Sequence, residues 1–226
     1  MNFPDQLLPA ALLWTCNALA LPLLVLAVRT APWGRLIGQE TFNAWLGMCV
    51  GLLLLWSIKA GIRPGLSFHL LGGTLLTLMF GARLAMAGLA VVLLGVTLAG
   101  AAGWASLGVN WLLGGVLPVT LSYLLYAVVD RKLPNHLFVY IFVNAFIGAG
   151  LVVLITGAAV TLLLELSGAY PGAYLARNYL PYYILMGWSE ALLTGMAVTL
   201  MVVFRPAWLS TFSDLRYLKS NTDRNR

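Results

Sequence analysis

Long apolar runs, broken by short clusters of Arg, Lys, Pro, Gly and aromatic residues, set the pattern of this chain. The runs are continuous and lack period-2 alternation, so they predict helices and not the strands of an outer-membrane barrel. A spanning helix needs about 20 mainly apolar residues. By that measure seven spans are predicted, at about 8–28, 42–58, 66–81, 84–102, 109–129, 137–164 and 180–204. The third and fourth are divided at Gly81-Ala82-Arg83, because one helix from 66 to 102 would be far too long for a bilayer. The predicted fold class is all-α, a polytopic membrane helical bundle of about seven transmembrane helices. Residues 1–208 form its single domain and 209–226 a short polar tail.

Composition agrees with the pattern. Of 226 residues, 61% are hydrophobic and 9% charged, against about 25% charged in soluble domains. The net charge of +6 sits in loops and tail, as membrane topology demands, and carries no sign of nucleic-acid binding. One end of the predicted bundle holds Arg29, Arg35, Arg83, Arg131, Lys132, Arg205, Arg216, Lys219, Arg224 and Arg226; the other holds Lys59, Arg63 and Arg177. The positive-inside rule then places the N-terminus outside and the C-terminus in the cytoplasm. No Lys or Arg precedes Arg29, so the first span is not expected to be a cleaved signal peptide. Cys16 and Cys49 fall inside spans and read as packing residues. Trp33, Trp104, Trp111, Tyr179, Tyr182, Tyr183 and Trp208 read as interfacial belts, and the 23 glycines as sites of close helix approach.

Catalytic signatures are missing: there is no Gly-x-Ser-x-Gly, no His-Glu-x-x-His and no Walker phosphate loop, so an enzyme is not expected and ATP hydrolysis would need a partner. The intramembrane polar residues carry more. His69 lies in a stretch of 18 residues from Pro64 to Gly81, barely enough to cross a bilayer and interrupted by Gly72-Gly73. An imidazole in hydrocarbon marks function, and short or glycine-broken spans mark transporter binding sites. His136 follows Lys132-Leu133-Pro134-Asn135 at the opposite side and reads as a helix-start residue. Glu190 lies about ten residues into the last span, within expected reach of Ser189, Thr194, Asn110 or Asn144. An α-amine, a backbone amide nitrogen and the His69 imidazole would form a nitrogen-rich set suited to Ni(II), Co(II) or Cu(II) and unsuited to Mg(II) or Ca(II).

Four segments carry a resemblance. Met1-Asn2-Phe3-Pro4-Asp5-Gln6-Leu7-Leu8 is similar to the Met-His-Ile-Pro-Asp-Gly-Phe-Leu opening of the CbiM/NikM-type cobalt/nickel substrate-capture permeases of energy-coupling-factor (ECF) ABC transporters. His69-Leu70-Leu71-Gly72 resembles their His-x-x-Gly, Leu107-Gly108-Val109-Asn110 their Leu-Gly-Ala-Asn, and Gly187 to Thr194 their Gly-x-x-Glu-x-x-x-Thr. The resemblance implies an inner-membrane component that captures Co(II) or Ni(II) as its cargo. It also implies a membrane coupling subunit and cytoplasmic ATPase subunits as partners. The metal ligands it implies are Met1, Asn2 and His69, with Ser67, Asn110 and Glu190 in support. Asn2 departs from the family's histidine, so only its backbone nitrogen matches. Two alternatives stand beside this reading: the same architecture with another metal or a small organic substrate, or a non-transporting membrane scaffold or assembly protein.

Overall fold

The computed structural model describes residues 2–58 and 60–217. Its elements are α1 (Ala10–Thr30), α2 (Gln39–Ser57), β1 (Ala60–Arg63), β2 (Leu66–Phe68), α3 (Gly73–Phe80), α4 (Ala82–Leu98), α5 (Leu107–Lys132), α6 (Leu137–Leu166), α7 (Gly172–Asn178), α8 (Tyr182–Phe204) and α9 (Asp214–Tyr217). The chain is a polytopic helical membrane bundle. Helices α1, α5, α6 and α8 are each long and apolar enough to cross a membrane, and α4 is a shorter apolar helix. Helix α5 widens to π geometry at Leu112–Val116 and α6 at Tyr140–Ile147. Such bulges recur near functional sites. His136 opens α6 as expected, its ring accepting a hydrogen bond from Phe138 N at 3.2 Å.

The third predicted span takes another form. Pro64-Gly65, with Gly65 at φ 76°, turns a small antiparallel hairpin that pairs Gly61 with Ser67 and Arg63 with Leu66. Residues 69–72 follow without regular structure, and helix begins only at Gly73 and lasts eight residues, a length of about 12 Å. The crossing is therefore strand, loop and half-helix instead of one helix. Non-helical backbone at membrane depth is tolerated only where protein surrounds it, and Leu66, Leu71, Gly72 and Gly73 are all buried. The expected division before α4 does occur, at Gly81 with φ 81°.

The bundle has two chemically distinct ends. At one, the hairpin meets the N-terminal segment, the 99–106 loop and α7, with Tyr170 donating to Pro64 O at 2.8 Å and Arg63 lying 4.8 Å from the Tyr174 ring. At the other, Arg83 Nη1 donates to Thr30 O at 2.8 Å, Arg205 pairs with Glu40 at 3.3 Å and Arg216 with Asp130 at 2.6 Å. The expected polar tail is anchored over 209–217: Leu209, Phe212 and Tyr217 are buried, and Thr211 Oγ1 donates to Leu78 O at 2.8 Å. Met1, Lys59, Lys219, Arg224 and Arg226 lie outside the described residues.

Packing follows the small residues. A Cβ on Gly187 of α8 would stand 3.1 Å from Gly150 O on α6, and one on Gly150 would stand 3.2 Å from Gly187 O. Helix contact in lipid depends on such close approach. Gly187→Leu should therefore lower the melting temperature in detergent by several degrees, as overpacking costs about 1–3 kcal/mol. Gly51→Leu, where a Cβ meets nothing within 4 Å, should leave it unchanged. Equal melting of the two variants would refute the close contact. Both cysteines are free and buried, as expected. Three expected belt residues are interior instead: Trp111, Tyr179 and Tyr183 are buried, the two tyrosines sharing a hydroxyl hydrogen bond of 2.9 Å. Trp33, Trp104 and Tyr182 are exposed, where belt residues belong.

Candidate functional site

The N-terminal segment folds into the bundle ahead of α1. Phe3 is fully buried in one apolar cluster with Leu66 and Leu71, the residues that bracket His69. Gly65 leaves room for it: a Cβ there would lie 3.3 Å from the Phe3 ring. Backbone hydrogen bonds complete the docking. Asn110 Oδ1 accepts from Phe3 N at 2.8 Å, Asn110 Nδ2 donates to Phe3 O at 3.2 Å, and Gly103 N donates to the same carbonyl at 3.1 Å. Asp5 Oδ1 accepts from Ser106 N at 3.0 Å. The expected supporting role of Asn110 thus takes a specific form: its carboxamide holds the peptide of Phe3, one residue from Asn2.

The histidine loop is held by the last long helix, α8. Glu190 Oε2 accepts from Leu71 N at 2.8 Å and Oε1 from Gly72 N at 2.6 Å. Ser189, Thr194, Asn110 and Asn144 were the expected partners of this buried carboxyl; backbone of the loop takes their place. The reason lies in the loop's geometry. Gly72, at φ 68°, turns the chain into α3 and leaves the amides of Leu71 and Gly72 outside any helix, and a buried N–H must find an acceptor.

His69 itself is 5% exposed. Its Nδ1 lies 3.1 Å from Leu70 O, an acceptor, a contact that requires the ring proton on Nδ1. Hydrogen-bonding one imidazole nitrogen to a carbonyl so that the other can bind a metal is the usual arrangement of a ligating histidine. The Trp56 ring lies against the imidazole with centroids 4.5 Å apart. Trp56 and Asp5 were not expected in the site. The Pro4-Asp5 pair in the opening segment was the available signal for one, and the other had none beyond its place at a span end.

Asn2 and Ser67 share a cleft of about 580 Å3 with Asp5, Arg63 and the 100–103 loop. Both are buried, yet neither the Asn2 carboxamide nor the Ser67 hydroxyl has a hydrogen-bond partner among the described residues. Buried polar atoms in this state are uncommon, and each can take a hydrogen bond from a ligand, an ion's water or another part of the chain. Among the described residues no three His, Cys, Asp or Glu side chains gather as a metal cage. The expected ligand Met1 lies outside the described residues. The structure thus brings the segment bearing Asn2 against the strand and loop bearing Ser67 and His69, with Asn110 and Glu190 holding the two pieces.

Comparison with known proteins gives a family and a fold. A family model described as cobalt uptake substrate-specific transmembrane region matches residues 2–208. None of the curated proteins matches the chain in sequence. Two solved structures share the fold. One, described as a truncated transition metal transporter, has a TM-score of 0.76 at 19% identity, over 90% of this chain and 99% of its own. The other, described as a transition metal transporter, has a TM-score of 0.76 at 19% identity, over 90% of this chain and 93% of its own.

Proposed function

Because the chain belongs to the family of cobalt uptake substrate-specific transmembrane regions, a multi-pass family of transport and not of catalysis, we propose that it is the substrate-capture component of an ECF ABC transporter in the inner membrane, taking up Co(II) or Ni(II). In this reading the ion enters between the N-terminal segment and the 69–72 loop. His69 Nε2 and the backbone nitrogen of Asn2 are ligands, together with the amino group of Met1. Ser67, Asn110 and Glu190 position them. A membrane coupling subunit and cytoplasmic ATPase subunits would supply the energy, since the sequence has no phosphate loop.

The observation that carries the reading is the pair of polar side chains, Asn2 and Ser67, buried without a hydrogen-bond partner among the described residues where the N-terminal segment meets the strand leading to His69. Isothermal titration of the purified protein with nickel, cobalt and zinc salts tests it. Wild-type protein should bind nickel or cobalt far more tightly than millimolar. His69→Ala should weaken binding by more than the roughly 10- to 100-fold that loss of an outer-shell partner costs. Binding no tighter than millimolar, or equal binding by His69→Ala, would remove the metal.

One observation favours a second substrate class. The cleft of about 580 Å3 falls within the roughly 300–1,000 Å3 of small-molecule sites, and the residue-2 side chain is a carboxamide. Uptake assays in a strain lacking the gene separate the two: restored cobalt or nickel uptake supports the first, and restored uptake of an organic solute alone supports the second. A scaffold role predicts that His69→Ala leaves the strain's phenotype unchanged.

A further inference from the structure

A second cavity opens elsewhere, on the membrane-facing side of α1 and α4, with a volume of about 540 Å3. Leu21, Leu24 and Val28 of α1 form one wall and Ala87, Val91 and Leu94 of α4 the other. Trp45 and Trp111 also line it. Every polar side chain in its lining is satisfied. Trp45 donates to Leu84 O and Trp111 to Met86 O, both at 3.1 Å; Trp33 donates to Val28 O at 2.7 Å. Asn17 donates to Ala105 O at 2.8 Å and accepts from Gly108 N at 2.7 Å. The groove therefore offers nothing to a polar ligand along its length and suits a hydrocarbon chain.

Length and charge narrow the occupant. From Asn17 to Val28 is about 16 Å at about 1.5 Å per residue, close to half of the roughly 30 Å hydrocarbon core. Asn17, tied to Ala105 and Gly108, lies at one end, so the groove is one leaflet deep and too short to seat a spanning helix. At the other end, beside Val28 and Trp33, stand Arg29, Arg35 and Arg83, all exposed. Arg83 lies one helical turn before Ala87 on the same α4 stripe, and its contact with Thr30 O uses one of its five N–H groups.

We propose that this groove binds one anionic phospholipid of the cytoplasmic leaflet, acyl chain between α1 and α4 and phosphate on Arg29, Arg35 and Arg83. A basic mouth on an apolar slot is the arrangement by which membrane proteins hold anionic headgroups. The site is independent of the metal-capture reading.

Native mass spectrometry of the full chain, equilibrated with equal amounts of phosphatidylglycerol and phosphatidylcholine of identical acyl chains, tests it. One phosphatidylglycerol should be retained preferentially, with each arginine contributing about fivefold. Combined Arg29→Gln, Arg35→Gln and Arg83→Gln should erase the preference while still retaining lipid. Val91→Trp, filling the slot, should release both lipids. Should that variant misfold, the wild-type competition and the arginine variant still decide. Equal retention of the two lipids, or a preference that survives the arginine substitutions, overturns the proposal. So does a dimer of the chain that forms in place of the lipid adduct.

Discussion

Glu190→Ala should be among the most damaging single substitutions in the chain. It leaves the amides of Leu71 and Gly72, now bonded at 2.8 Å and 2.6 Å, buried without acceptors. Each orphaned group costs about 1–3 kcal/mol, so the loss is about 2–6 kcal/mol. Melting in detergent should fall on the order of 10 °C, given roughly 2–4 °C per kcal/mol for chains of this size. Because the same amides hold the loop that carries His69, nickel or cobalt affinity should fall as well, by about 10- to 100-fold. Glu190→Gln gives a sharper test. Its one carbonyl oxygen can accept from one amide, while its NH2 faces the other, so an intermediate loss of both properties is expected. Wild-type melting and affinity in Glu190→Gln would show that the carboxyl does not hold the loop.

Asn110→Ala should separate affinity from stability. The substitution removes both side-chain bonds to the Phe3 peptide and leaves Phe3 N without its acceptor. Helices α1 to α8 keep their own packing, so global melting should drop only modestly, about 1–3 kcal/mol. The N-terminal segment, however, is held locally, and local opening follows the local free energy. Hydrogen exchange over residues 2–8 should accelerate by on the order of tenfold or more, since each 1.4 kcal/mol is a factor of ten. Nickel or cobalt affinity should fall in parallel. Asn110→Asp retains an acceptor for Phe3 N but loses the donor to Phe3 O, and should fall between the two. Unchanged exchange at residues 2–8 in Asn110→Ala would refute the clamp.

Much of this architecture is visible in hydropathy alone. Among the described residues, helices α1, α5, α6 and α8 fall on four of the predicted spans, and the contacts of Arg83 with Thr30, Arg205 with Glu40, Arg216 with Asp130 and Arg63 with Tyr174 agree with the ends that the positive-inside count expects. The form of the third crossing is less visible. An apolar run of strand and loop residues has the same hydropathy as a helix, since burial inside protein and burial in lipid select the same side chains. Pro64-Gly65 was the overlooked signal, a turn pair suited to Gly65's φ of 76°. The belt reading failed at Tyr179 and Tyr183 because sequence places a ring at a span's end but not on a side of the helix. Candidate residues His69, Asn110 and Glu190 stand out as polar exceptions in apolar surroundings, and Asn2 only through the resemblance of the opening segment. Their partners do not. Glu190 and Asn110 both bond to main chain, and every residue but proline presents an amide, so no side-chain pattern singles out Leu71, Gly72 or Phe3.

The clamp between the last helix and the 69–72 loop also orders events during synthesis. Glu190 is separated from Leu71 by 119 positions, so at about 5–20 residues per second the loop's acceptor emerges roughly 6–24 s after the amides it serves. Until then the amides of Leu71 and Gly72, which lie outside the eight-residue helix, lack the acceptor that fixes the loop. The final form of the third crossing is thus a late step of folding, completed only once the C-terminal helix has been made.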